Sequence, residues 1–449
     1  RQVFRSQYAS PSNLLDPVIP ASALEVALRD ADSKINPEFR VPEALRASTE
    51  FWFRVYTEFT TQHLVLFDER HPELIYEILD HRELARNARN SRTFAALSQR
   101  DIHATMNRYR KAFKSLSRNP RPRKPTETEA RILETVKKCK HKHPMSLFAS
   151  RLKIQRGQRD NIVKGLLAAE TYYPKMEQIF EAQGVPPELT RISLVESSFN
   201  LNAVSKAGAT GVWQFMHKSA LEYMTVDKKK QLDERLSPLK SAVAAARLLR
   251  RNRRMLGNWP MAITSYNHGL VGLVKVPRRD REIPRLWSIY DLCSKKSPLG
   301  WASKNYYSEF LAVLHAEAYR HLFYGEIPLA PAKDVGFYRL TRVQSALDVA
   351  IEKGVSLQDF RLFNPDIKDL KRKLPKGFWI VLPGHSDDQA SLSRKINEFI
   401  KEARIRSLRA ENVHHSRVRN KPARPQHLAS VVFQSKDVGP TRKLSRENP

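Results

Sequence analysis

Apolar residues recur at three- and four-residue spacing through most of the first 325 positions, the period of an amphipathic helix. The pattern runs through "EFWFRVYTEF" around Trp52 and Tyr56, "HPELIYEIL", "RILETVKKC" and "DNIVKGLLAAETYYPKMEQIFEAQG". It continues in "PLKSAVAAARLLRRNRRML", "WPMAITSYN" and "NYYSEFLAVLHAEAYRHL". Breaks are equally clear. Pro120, Pro122 and Pro125 stop helices, Thr126 with Glu129 has the form of a capping box, and Gly184 suits a helix C-terminus. After Pro328 and Pro331 the period changes. "GFYRLT" and "GFWIVLPG" are short, aromatic and β-branched, and they flank two amphipathic stretches, "SALDVAIEKG" and "SLQDFRLFN", which predicts a small βααβ unit.

These patterns predict a mainly α chain in five parts. Residues 1–20 form a flexible, proline-punctuated arm, 21–144 a helical accessory layer, and 145–325 a nearly all-α core. Residues 333–384 form the βααβ module, and 385–449 a basic, proline-containing tail in which an opening helix fades into disorder.

One position breaks the helical rule. Glu196 follows Leu189 and Ile192 at spacings that put all three on one helix face, so a carboxylate ends an apolar stripe. Pro186 and Pro187 suit a first helical turn there, and Glu188 suits its positive end. No Asp or Glu occurs from Ser197 to Leu221 or from Ser241 to Arg279. A carboxyl buried beside apolar groups and remote from other acids keeps its proton to higher pH and can act as a general acid. A helix-end glutamate paired with Arg191 satisfies the same pattern, and periodicity alone favours it. Downstream, Gly208 and Gly211 precede Trp213 and Gln214, a pairing of amide and apolar face that suits sugars. Tyr266, Asn267 and His268 crowd a helix-to-glycine boundary that reads equally as a site edge or a helix stop.

Charge widens the field. With 78 Lys and Arg against 47 Asp and Glu, the net charge is +31, which predicts attraction to polyanions such as nucleic acid, anionic lipid or an acidic envelope polymer. No nucleic-acid motif accompanies it. The two cysteines, Cys139 and Cys293, make no disulfide framework and read as inert thiols. "KCKHKHP" sets Cys139, His141 and His143 among lysines. With no second ligand cluster to complete a site, no metal is expected. No apolar run is long enough to span a membrane. The chain opens at Arg1 rather than Met, compatible with a leader removed or left out.

Three stretches then combine. "ESSFNLNAVSKAGATGVWQFM", "AITSYNHG" and "NYYSEFLAVL" resemble, in order, the Glu-Ser, Gly-Leu-Met-Gln-type and Ala-Tyr-Asn motifs and the tyrosine-bearing final helix of the soluble lytic transglycosylase (SLT) family. The lead-in "RGQRDNIVKGLLAAETYYPKMEQIFEAQGVPPELTRI" is similar to that of the membrane-bound lytic transglycosylase D group, and the resemblance spans residues 150 to 322. Two departures stand out. Val212-Trp213-Gln214 replaces the usual Leu-Met-Gln, and Ser265 and His268 flank Tyr266-Asn267 where many relatives carry alanine.

The resemblance implies a lysozyme-like helical domain in which Glu196 is the single general acid and base. It would cleave the bond from N-acetylmuramic acid (MurNAc) to N-acetylglucosamine (GlcNAc) without water, leaving 1,6-anhydro-MurNAc ends. It implies that Tyr266 hydrogen-bonds Glu196, that Asn267 and Gln214 meet substrate N-acetyl groups or the charge that develops at the anomeric centre, that Ser197 assists near the muramyl unit, and that Tyr306 or Tyr307 lines the cleft. No cofactor is implied. The C-terminal module resembles a degenerate LysM glycan-binding domain, with Val343-Gln344-Ser345-Ala346 where Gly-Asp-Thr-Leu is usual. The expected partner is peptidoglycan rather than nucleic acid, with the chain monomeric. The expected setting is the periplasm or cell envelope, with peripheral, lipid-anchored or secreted forms all compatible. A goose-type lysozyme-like hydrolase and a non-catalytic wall-binding protein are the competing readings.

Overall fold

The computed structural model describes residues 20–139, 143–227, 229, 231–274, 299–327 and 333–418, with side chains only to residue 403 in the last segment. The expected N-terminal arm, Cys293 and the end of the basic tail lie outside these residues. The chain divides into two compact units, residues 1–163 with 311–327, and residues 164–310 with 328–449.

The first unit holds α1 (Ala21–Arg29), α2 (Arg46–Thr57), β1 (His63–Asp68), β2 (Ile75–Asp80), α3 (Ser91–Arg118), α4 (Glu127–Lys137), α5 (Met145–Ser150) and β3 (Leu152–Arg156). The three strands form an antiparallel sheet in the order β2-β1-β3. This corrects the expectation of a wholly helical layer. "HPELIYEIL" carries a strand, and a third strand lies where the core was expected to be almost all α. The physical reason is burial. All six residues of β1, the central strand, are buried, so it reads as a continuous apolar run with no alternation to betray a sheet. Tyr76, Tyr109, Phe113, Leu116, Ile132 and Phe148 from β2, α3, α4 and α5 fill one face of the sheet. The Thr126–Glu129 capping box starts α4 as the sequence indicates.

Two helices, α6 (Arg159–Ala169) and α11 (Trp301–Ala318), contribute residues to both units. Within the second unit lie α7 (Tyr173–Glu181), α8 (Ile192–Ser197), α9 (Pro238–Leu256) and α10 (Trp259–His268). Helix α9 begins with Ser237 accepting the Lys240 N–H and Pro238 at its first position, and ends at Gly257 in the left-handed region. Its first nine residues, 238–246, are all buried, the run of small side chains letting neighbours approach closely.

The C-terminal segment of this unit holds β4 (Val335–Arg339), α12 (Ala346–Glu352), α13 (Leu357–Phe363) and β5 (Trp379–Pro383), with β4 and β5 paired antiparallel from Val335 opposite Pro383 to Arg339 opposite Trp379. Ser345 and Asp348 form a capping box on α12. The module does not hang free of the helices. Asp366 is wholly buried and holds Lys240 of α9 by an ion pair of 2.6 Å, with the ammonium 4.4 Å from the Phe378 ring centre. The Tyr172 hydroxyl adds a bond to the Leu362 carbonyl. A final helix, α14 (Gln389–Val418), follows. Among the described residues no helix is long and apolar enough to cross a membrane.

Candidate active site

The glutamate that broke the sequence pattern sits on α8. A 3-10 turn, Pro187–Arg191, leads into that helix and buries Leu189 and Ile192, while Glu196 stays partly accessible. Arg191, its candidate ion-pair partner, pairs with Glu177 and stands over the Tyr173 ring. Beyond Glu196 the chain reverses sharply. Ser198 and Phe199 both take positive φ, and their N–H groups close onto the carbonyls of Leu194 and Ser193. Helix α6 crosses this turn at Gly165, where an added Cβ would lie 2.3 Å from the Ser198 carbonyl oxygen. Only glycine allows that approach.

The loop after α8 is tied from three sides. Ser197 Oγ donates to the Val212 carbonyl at 3.0 Å. Arg235, paired with Asp233, donates to the carbonyls of Gly208 and Phe215. Gly211 has φ +78°, and a Cβ there would meet the Arg235 carbonyl oxygen at 1.9 Å. Trp213 is fully buried and stacks on Phe180 at 5.5 Å, so it serves the core rather than offering a sugar platform. Gln214 also has positive φ, and its amide nitrogen donates back to Gly211 and Ala203 carbonyls within the loop.

Two phenols meet near the carboxylate. Tyr306, buried on α11, donates to Glu196 Oε1 at 2.5 Å. Tyr266, on α10, donates instead to the Trp213 main-chain carbonyl at 2.9 Å. The expected bond from Tyr266 to Glu196 is therefore made by Tyr306, because α11 brings its hydroxyl to the carboxylate while α10 aims at the loop. Burial, and then the Glu196 charge, push both phenols well above the usual tyrosine range, so both remain protonated donors. Tyr307, one residue on, is buried in the core and stacks on Phe310. The adjacent tyrosines thus separate, one into the site and one into the interior.

Asn267 is held by a residue the sequence reading passed over. Ser303 Oγ donates to Asn267 Oδ1 at 2.8 Å and lies 3.3 Å from His268 Nδ1. Burial lowers the His268 pKa, so the ring is neutral around pH 7. Ser303 stands three residues before Tyr306 on α11, the spacing of one helix face, and that was the available signal. The result is a carboxyl oriented by a buried phenol of α11, and an amide whose oxygen is engaged by a serine one turn earlier on the same helix. Glu309, one turn beyond Tyr306, is a second carboxylate whose charge reaches that phenol more weakly than Glu196 does.

Residues 177–283 match the Transglycosylase SLT domain family, a span that takes in Glu196, Ser197, Gln214, Tyr266 and Asn267. The chain is 23% identical over 225 residues, 50% of its length and 48% of the relative's, to membrane-bound lytic murein transglycosylase D of Escherichia coli strain K12. The protein of the same description from Escherichia coli O6:H1 matches at the same 23% identity and coverage. The chain thus spans about half the length of the curated relatives it matches.

Proposed function

We propose that this chain, which carries an SLT transglycosylase domain and is a distant homologue of membrane-bound lytic murein transglycosylase D, is itself a peptidoglycan lytic transglycosylase. The observation that carries the reading is the 2.5 Å bond by which a buried, protonated Tyr306 orients Glu196 within that domain. Glu196 gives its proton to the oxygen joining MurNAc to GlcNAc, and the C1–O bond breaks. As a carboxylate it then takes the proton of the muramyl 6-hydroxyl, whose oxygen closes onto C1. The products are a free GlcNAc hydroxyl and a 1,6-anhydro-MurNAc end, and no water is consumed. One carboxyl serves both proton transfers. An internal nucleophile held in line supplies up to about 7–11 kcal/mol of the barrier.

In this reading Asn267, its oxygen engaged by Ser303, turns its amide N–H groups to the substrate, and Gln214, its nitrogen engaged in the loop, offers its oxygen. Ser197 supports the loop. The C-terminal βααβ module is a LysM-like glycan-binding element that engages the same strands. The excess positive charge suits an anionic wall polymer in the cell envelope.

Glu309 favours a second reading, a hydrolase that delivers water with two carboxylates. Purified peptidoglycan treated with wild type, Glu196→Gln and Glu309→Gln separates the two. The transglycosylase reading expects anhydro-muropeptides from wild type and Glu309→Gln and none from Glu196→Gln. Products heavier by one water, lost in both variants, identify the hydrolase. Binding without cleavage by wild type identifies a scaffold.

A further inference from the structure

Far from the glutamate in sequence, the first unit gathers three side chains of another kind. His71 lies in the turn between β1 and β2, Cys139 just beyond α4, and His143 just before α5. One ligand-capable atom from each lies within 4.8 Å of the others, and all three residues are half-buried. The sequence offered Cys139 and His143 without a completing cluster. The β hairpin supplies the missing imidazole.

We propose that His71, Cys139 and His143 bind a divalent transition metal of the zinc class, with solvent in the fourth position. A thiolate with two imidazoles selects borderline-soft ions over calcium or magnesium. Tetrahedral bonds of about 2.0–2.3 Å need ligand atoms roughly 3.5 Å apart, so closure by about 1 Å through side-chain rotation completes the sphere. The frame is held by backbone bonds. The His71 N–H donates to Asp68 Oδ1 at 3.0 Å, its carbonyl accepts from Leu74 at 2.8 Å, and the Cys139 N–H bonds the Val136 carbonyl at 3.1 Å. The His143 ring lies edge-on to Phe148 at 5.7 Å.

Outer partners fit as well. Glu73 Oε1 stands 3.3 Å from His71 Nδ1, the carboxylate–imidazole arrangement that fixes a ligating ring and leaves Nε2 for the ion. Asp68 is wholly buried, and its Oδ2 has no hydrogen-bond partner among the described residues. Asp68 and Cys139 both lie within electrostatic reach of Arg151, so the Asp68 side chain faces that one basic neighbour of the site. Bound metal would fasten the ends of α4 and α5 to the hairpin and stabilise the first unit by mass action.

Cobalt titration of the untagged, chelator-stripped full chain tests this. The expected result is one ion per chain, a thiolate-to-cobalt charge-transfer band with strong tetrahedral d–d bands, displacement by zinc, and a zinc-dependent rise in Tm. Cys139→Ser abolishes the charge-transfer band with unchanged circular dichroism, and Cys293→Ser retains it. His71→Ala and Glu73→Gln each weaken binding at least about tenfold. Weak octahedral bands identical in wild type and Cys139→Ser overturn the proposal, as does a charge-transfer band that follows Cys293.

Discussion

The hydroxyl of Tyr306 donates to Oε1 of Glu196 from 110 residues away in the chain. The orientation of the carboxyl therefore depends on how α11 is laid against α8.

That dependence predicts how Tyr306→Phe behaves. Loss of the hydroxyl leaves the ring packed but frees the carboxyl to rotate, and a misplacement of about 1 Å costs on the order of 10²-fold in rate. The expected outcome is a fall in kcat of that order with KM and Tm nearly unchanged. Tyr307→Ala should do the reverse, costing about 3–5 kcal/mol of stability as a large core deletion while sparing kcat per folded molecule. Steady-state kinetics beside thermal melts check both, and an unaltered kcat in Tyr306→Phe removes that residue from the site.

Ser303 is expected to act through Asn267. Ser303→Ala leaves the Asn267 oxygen without its buried donor, a loss of about 1–3 kcal/mol. With the amide free to flip, kcat/KM should drop by roughly tenfold or more, chiefly through KM. Glycan-binding calorimetry on a Glu196→Gln background reads this directly, and unchanged affinity counts against the role.

The Lys240–Asp366 pair sets a contrast between single and double changes. Lys240→Met leaves two buried carboxyls, Asp366 and Glu234, without their cation and is expected to cost about 3–5 kcal/mol, whereas Lys240→Met with Asp366→Leu relieves the Asp366 part of that loss and leaves the Glu234 part. Denaturant melts of the set measure the coupling. A double variant as unstable as the single one rejects the ion pair as the reason.

His315 makes the first unit sensitive to acid. Its ring is fully buried between the carbonyls of Ala27 and Phe39, and burial lowers its pKa below the ordinary 6.5 despite those acceptors and the Asp30 charge. A folded value below the unfolded one means that stability is present above about pH 6.5 and is lost as pH falls toward the folded value. The slope reaches at most about 1.4 kcal/mol per pH unit for one group. Melts between pH 7.5 and about 5 should show the loss, and His315→Gln should flatten it.

The legible parts of this molecule were the local ones. The helix-end place of Glu196, the Thr126–Glu129 box and the β-α-α-β order follow from residues within a few turns of one another. The central sheet was hidden because β1 pairs with β3 almost ninety positions later, and a strand buried throughout has no polar face to alternate. The tyrosine roles were hidden for a related reason. Spacing states which side chains share a helix face, but Tyr306 rather than Tyr266 reaches Glu196 through a placement of α11 that no local pattern encodes. His71 could not be joined to Cys139 from spacing at all.

The bond from Tyr266 to residue 213 ends on a main-chain oxygen. A carbonyl is present whatever side chain position 213 carries, so this link between the two motifs is indifferent to the identity of the residue there. A change of side chain there falls on the packing against Phe180, and the acceptor for Tyr266 stays in place. That is how a tryptophan stands at position 213 without the two stretches losing hold of each other.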